Sequence, residues 1–257
     1  MVTPKIDVNC FVGHWPFRRC REHTLEDLKN AHRVAGITKG YVSSLQSIFW
    51  NDPMEAEAEL AELLAGSGYE QVCTVNPALP EVETCIAEAV ERFHIKAVRI
   101  CPGYHGYRLD DPCMEPLRRA LIKYALPLYL TVRLEDERLN YIVTPGKPDI
   151  QELRNAVTYL KGVRILLVNL KIDELLAMTD LLRDREDLFV ETSGFRAPTG
   201  WLELALSCTG REKYLFGSSY ILYPVQCALA GVEYAAVSEE VKEQILFRNA
   251  QDFFRSR

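Results

Sequence analysis

Short β-branched runs alternate with longer amphipathic runs along the whole chain. Eight runs have strand length: Ile6–Cys10, Gly40–Ser44, Gln71–Val75, Ala97–Cys101, Leu128–Val132, Arg164–Val168, Leu188–Thr192 and Tyr214–Phe216. They are rich in Val, Ile, Leu or Tyr, which suit a pleated, buried surface. Between them, apolar positions recur at helical spacing, as at Leu25, Leu28, His32 and Ala35. Thr24 and Asp27 make a capping-box pattern ahead of that run, and Asp52-Pro53 opens another at Met54–Ala65. Further helical runs are Glu81–Phe93, Glu115–Tyr124, Ile150–Leu160, Ile172–Arg183, Trp201–Ser207 and Ser238–Phe254. Eight strand–helix units over 257 residues predict an α/β fold. The expected form is a (β/α)8 TIM barrel, with residues 1–257 as a single domain. A doubly wound open sheet is the rival, and no G-x-G-x-x-G follows the first strand to support its dinucleotide-binding form.

Alternate strand residues of a barrel point inward. With the apolar set facing the helices, Ile6, Val8, Val98, Ile100, Leu128, Leu130, Val132, Leu166 and Val168 face out. Asp7, Asn9, Phe11, Arg99, Thr131, Arg133 and Asn169 then face in, with Asn76, Glu191 and Ser219 at strand ends. Barrel active sites form at the C-terminal ends of the strands. Guanidiniums, amides and a hydroxyl collected there suit a carboxylate or phosphate ligand, so Arg99 and Arg133 are candidate anion binders. The bland reading is an internal pair between an arginine and Glu191 or Asp7, with no ligand.

Composition narrows the partners. Hydrophobic residues make up 48% and charged residues 26%, ordinary for a globular domain. A net charge of −6 argues against nucleic acid and against a membrane surface, while the inward arginines make a small anionic molecule the expected partner. Eight scattered cysteines without C-x-x-C spacing suggest free thiols in a reducing, cytoplasmic setting. No secretory leader is expected, because Met1–Cys10 carries Lys5 and Asp7 and no long apolar run. Trp15, Phe49, Trp50 and Trp201 suit either a homo-oligomer interface or burial within one chain.

The loops add candidates. Arg99–Tyr107 leaves a strand into a Gly- and aromatic-rich loop, where His105 suits general acid or base catalysis and Tyr104 a pocket rim. A loop histidine bonded to backbone is the competing reading. Gly13–Arg18 follows the first strand and offers His14 and Arg18 to a ligand, while Trp15 and Phe17 close a pocket or an interface. Arg133–Arg138 follows the fifth strand, where Asp136 and Arg138 either orient the ligand or form a solvated charge run. Ser218-Ser219 lacks a G-x-S-x-G elbow and is no credible hydrolase nucleophile.

The stretches Ile6–Gly13, Ala97–Pro112, Leu130–Arg138, Arg164–Leu170 and Tyr214–Ser219, with Ile245–Phe253, resemble the amidohydrolase superfamily, and more narrowly its amidohydrolase-2 branch. The resemblance spans nearly the whole chain. It implies a barrel with one divalent metal such as zinc, and hydrolysis of lactones or amides or decarboxylation of acids. The family's Asp-x-His-x-His would place metal-binding histidines at Asn9 and Phe11. Other ligands would fall near Asn169, at Thr131 or Arg133, and at Ser219. Amide, phenyl and neutral hydroxyl groups bind zinc poorly, so no metal and no cofactor are expected.

Two functional classes follow. The first is an amidohydrolase-related enzyme of hydrolase or lyase type acting on a small carboxylate-bearing substrate without the family metal. There His105, Glu191 and Asp136 move protons, and Arg99, Arg133, Asn9, His14, Arg18, Asn169, Arg138, Ser219 and Tyr104 bind substrate. The alternative is a non-catalytic ligand- or partner-binding barrel. A metal-dependent hydrolase with atypical ligands is the third reading.

Overall fold

The computed structural model describes residues 4–136, 145–196 and 199–255. Its strands are β1 (Lys5–Val12), β2 (Ile37–Ser44), β3 (Glu70–Thr74), β4 (Ala97–Ile100), β5 (Leu128–Thr131), β6 (Ile165–Val168), β7 (Leu188–Glu191) and β8 (Tyr214–Leu215). All eight fall where β-branched runs predict them. Each pairs in parallel with the next, in the order β1 to β8. Backbone bonds close the seam: Val8 N to Phe216 O at 2.9 Å and Ser219 N to Asn9 O at 2.8 Å. The fold is a (β/α)8 barrel.

Helices fill the connections: α1 (Leu25–Ala35), α2 (Pro53–Leu64), α3 (Val82–Phe93), α4 (Pro102–His105), α5 (Met114–Lys123), α6 (Ile150–Tyr159), α7 (Ile172–Ala177), α8 (Thr179–Asp184), α9 (Trp201–Cys208) and α10 (Val225–Glu233). The closing segment runs through α11 (Glu239–Glu243), a π-helical stretch at Gln244–Arg248, and α12 (Asn249–Phe254). Thr24 and Asp27 form the expected capping box, with Asp27 N donating to Thr24 Oγ1 at 3.1 Å and Thr24 N to Asp27 Oδ2 at 3.0 Å. No helix among the described residues is long and apolar enough to cross a membrane.

The strands carry two apolar layers. One packs against the surrounding helices. The other lies inside the barrel: Ile6, Val8, Tyr41, Val72, Ala97, Tyr129, Leu166, Val168 and Leu215, with Phe253 of α12 packed into the same cluster. Five facing assignments need correction. Ile6, Val8, Leu166 and Val168 line the interior, whereas alternation assigned them outward. In β6 the run Ile165–Val168 is apolar throughout, so alternation carries no signal there. In β1 a register shift between Asp7 and Cys10 breaks the two-residue period. Asp7 therefore leaves the interior and meets His32 of α1, while Asn9 and Phe11 point inward.

Outside the barrel, Glu57 of α2 is wholly buried. It accepts from Thr74 N at 2.9 Å and Gln71 Nε2 at 2.7 Å, fastening α2 to β3. Burial pushes its pKa up to about 7 from 4.5. The folded chain then binds more protons than the unfolded chain between these values. The contribution is complete below pH 4.5 and is lost as pH rises through 7, a change of about 3 kcal/mol. Glu57→Gln cannot titrate. Denaturant unfolding from pH 4.5 to 7.5 should show wild-type stability falling relative to the variant as pH rises, and parallel profiles would refute this.

Candidate active site at the barrel mouth

Arg99 leaves β4 into the interior with no exposed surface. Its guanidinium lies over the rings of Phe11 and Tyr129, with its central carbon 4.6 and 5.1 Å from their centroids. Nε donates to Ser43 Oγ at 2.9 Å, Nη1 to Thr131 Oγ1 at 3.1 Å and Nη2 to Asn9 Oδ1 at 2.8 Å. Three strands, β1, β2 and β5, thus hold the cation of β4 through neutral groups. Burial pulls its pKa down, against the opposing influence of Cys101, Tyr129 and Glu191.

Asn9 turns this cation toward a carboxylate. Its Nδ2 donates to Glu191 Oε1 at 3.2 Å and to Ser219 Oγ at 2.9 Å. Glu191 ends β7 and is also wholly buried. It accepts from Ser193 N at 2.8 Å, Ser193 Oγ at 2.9 Å and Asn169 N at 3.4 Å. Ser193 and Ser219 share a hydroxyl contact of 2.7 Å. Desolvation raises the Glu191 pKa, and the bonds from Ser193 and Asn9 hold it back only in part. The close approach depends on Gly217, where a Cβ would lie 2.8 Å from Asn9 Cβ and 2.9 Å from Glu191 Cγ.

The other candidates spread around the rim. Arg133 has a carboxylate partner of its own. It forms a forked pair with Glu174 of α7, Nη1 reaching Oε2 at 2.8 Å and Nη2 reaching Oε1, and also donates to Asn169 O at 2.7 Å. The amide of Asn169 bonds the carbonyls of Arg133 and Leu134. Arg18 donates to Glu135 Oε1 at 2.7 Å. Burial raises the Tyr223 pKa, Arg196 opposes the rise, and Glu135 and the half-buried Asp136 add to it. His105 bonds the Ile48 carbonyl through Nε2 at 3.1 Å, and burial lowers its pKa. No hydrogen bond links it to Arg99 or Glu191. His14 lies beside His23, with ring centroids 4.2 Å apart, in a side cavity of about 230 Å3 that also meets Gln46 and Glu59. Tyr104 packs edge-on against Trp15 and Phe49, roofing part of the mouth. Trp15 and Trp201 are buried within the chain, whereas Phe49 and Trp50 are partly exposed. Arg138 falls outside the described residues.

Two site residues carried little sequence signal. Ser193 follows β7 in a short 3-10 turn, where serine reads as ordinary loop chemistry. Arg196 lies 3.3 Å above the Tyr223 ring and donates to Asn169 Oδ1 at 3.4 Å. Its stretch, Ser193-Gly194-Phe195-Arg196, resembles no motif. The only hint was an arginine just past a strand end.

No family model matches the chain, and no curated protein matches it. Solved structures do match along its full length. They include 5-carboxyvanillate decarboxylase from Sphingomonas paucimobilis, at 16% identity and a TM-score of 0.78, with 99% of each chain covered. A dihydroxybenzoic acid decarboxylase from Polaromonas, with bound manganese and 2-nitroresorcinol, matches at 16% identity and 0.73, covering 98% of this chain and 97% of the other. An amidohydrolase II matches at 15% identity and 0.73, covering 97% and 99%. Likeness at this identity establishes the fold.

These neighbours overturn the expectation that no metal belongs to such a barrel, since one carries manganese. This chain also has a donor set. Asp7, Cys10 and His32 bring a carboxylate oxygen, a sulfur and a ring nitrogen within 4.8 Å of one another. These are donor types that transition metals select. They fit a metal better than Asn9, Phe11, Asn169 and Ser219 at the positions the family resemblance marks.

The mouth network has a direct stability test. Asn9→Ala removes the partner of Arg99 Nη2 and one of the two donors to Glu191 Oε1, leaving Ser193 N. A buried polar group left unsatisfied costs roughly 1–3 kcal/mol, and more when charged. Denaturant unfolding should therefore show a loss on the order of 3 kcal/mol or greater. A loss under about 1 kcal/mol would mean the network is not holding the mouth together.

Proposed function

We propose that this chain is a lyase of the barrel mouth that acts on a small carboxylate-bearing molecule by acid–base chemistry, in the manner of a decarboxylase. One observation carries this reading: Glu191, buried and with its pKa raised, is wired through Asn9 to the Arg99 guanidinium at the ends of β1, β4 and β7. The neighbours act on aromatic carboxylates, as their names state. Decarboxylation breaks the bond between a carbon and its carboxylate, releases carbon dioxide, and requires one proton at the carbon left behind. A carboxyl group whose proton affinity burial raises is suited to deliver it. Arg99 supplies fixed positive charge beneath the mouth, where desolvation strengthens its influence on an anionic substrate. The Ser193–Ser219 hydroxyl pair extends the proton-bearing network outward from Glu191.

At the rim, Arg18 and Arg133 already engage Glu135 and Glu174. Arg196 has no carboxylate partner among the described residues, and its stacking on Tyr223 fixes the guanidinium plane. In this reading it holds the substrate carboxylate, His105 is the second proton-transfer group, and Asp136 orients the loop after β5. A metal in the Asp7–Cys10–His32 set would add positive charge on the far face of β1.

A second reading is a barrel that binds without turnover. It is favoured by the complete burial of both Arg99 and Glu191 and by the internal hydrogen bonds each makes. Hydroxylated and methoxylated benzoates, assayed for carbon dioxide release and followed by mass spectrometry, separate the two. Turnover that falls by roughly 10²–10⁴-fold in Glu191→Gln, with Arg196→Ala mainly raising KM, supports the lyase. Saturable binding with no product supports the second reading, and unchanged turnover in Glu191→Gln removes Glu191 from the mechanism.

A further inference from the structure

We propose that Asp7, Cys10 and His32 form a site for a transition-metal dication of the zinc class, on the face of β1 that meets α1. The site is separate from the Arg99–Glu191 network and does not depend on the function assigned to it.

Backbone geometry is the first support. In a regular strand, residues three apart point to opposite faces. The register shift between Asp7 and Cys10 lets both side chains reach His32. Bulges re-aim side chains in this way and concentrate beside functional sites.

Spacing is the second. His32 Nε2 lies 3.1 Å from Asp7 Oδ2. Tetrahedral zinc with nitrogen and oxygen ligands at about 2.0–2.2 Å places those atoms roughly 3.3 Å apart. These two donors therefore need to shift by only a few tenths of an ångström to share a dication, and the Cys10 sulfur, within 4.8 Å of both, must close in further. The Cys10 sulfur, now donating to Tyr41 O at 3.3 Å, is the third donor.

The outer atoms are the third support. Metal-bound histidine and carboxylate are oriented through their remaining polar atoms. His32 Nδ1 meets Tyr69 OH at 2.9 Å. Asp7 Oδ1 accepts from Asn9 N and Ser218 N, each at 3.0 Å. Both groups are thus held with one donor atom facing the cluster, although Asp7 Oδ2 also accepts from Ser218 Oγ, a bond that a cation would share or displace.

Thiolate and imidazole select a zinc-like ion over magnesium or calcium. Binding releases the Cys10 proton, because the ion takes the thiolate. All three residues are fully buried, so the metal enters as the chain folds, and it ties α1 and the turn after β8 to β1.

Cobalt(II) is the probe. The full chain, refolded with it, should bind about one ion and show near-ultraviolet thiolate-to-cobalt absorption. Cys10→Ser should abolish that band, whereas Cys73→Ser and Cys101→Ser, at two other fully buried thiols, should keep it. Tyr69→Phe should weaken affinity roughly 10–100-fold. If Cys10→Ser fails to fold, pulsed alkylation of the wild type in mild denaturant replaces it, and zinc should protect Cys10 but not Cys73. Absence of stoichiometric cobalt, a band that survives Cys10→Ser, or equal protection of both cysteines would overturn the site.

Discussion

The cost of burying the Arg99 guanidinium organises the barrel interior. A buried charge must be compensated by hydrogen bonds and polarisable surfaces, or the desolvation penalty dominates. Here no carboxylate touches it within hydrogen-bond range among the described residues. Three neutral oxygens and two aromatic faces do that work. The nearest counter-charge in the network is one residue removed, across Asn9. That places a sharp demand on position 9: the side chain must accept from a guanidinium and donate to a carboxylate simultaneously. An amide meets both demands, whereas an ionised carboxylate could not donate and an ammonium could not accept.

The irregularity in β1 sets the division of labour around this network. Residues before it line the lower interior, residues after it line the upper interior, and Asp7 is turned to the opposite face. One strand thereby serves two polar clusters without mixing them. Ser218 and Ser219 repeat the division at the seam. Ser218 bonds Asp7, and Ser219 bonds Asn9 and Ser193. Gly217 allows it, because a side chain there would occupy the space taken by Asn9 and Glu191.

The architecture was legible because strand and helix runs differ in length and period, and all eight strands declare themselves that way. Inward facing was legible wherever alternation is clean: in β4 the polar Arg99 falls between Val98 and Ile100, and in β5 Thr131 between Leu130 and Val132. It failed in β6, whose uniform apolarity erases the period, and in β1, where a bulge resets it. Asn9, Glu191 and Ser219 could be placed at strand ends from sequence, but their mutual bonds could not, since those join residues about 180 to 210 positions apart. His105 and His14 drew attention by residue type alone, and the structure gives each a local partner away from Glu191. Glu57 and His32 lay on amphipathic helices, where a polar residue on the buried face gives no hint of what it will touch.

The barrel and the chemistry must be argued separately, because one fold hosts many reactions. At 15–16% identity the neighbours share the strand order and closure of this chain. The mouth positions are energetically coupled, which bears on how such a site can change. Replacing Asn9 by an aliphatic residue would leave a buried cation and a buried carboxylate each one partner short, whereas removing the cation as well would relieve part of that penalty. Arg99, Asn9 and Glu191 therefore behave as one unit, and a substitution at any of them is felt at the other two. The Asp7 cluster shares the backbone of Asn9 and Ser218 but none of these side-chain bonds. A cation taken up there as the chain folds leaves the network above it intact.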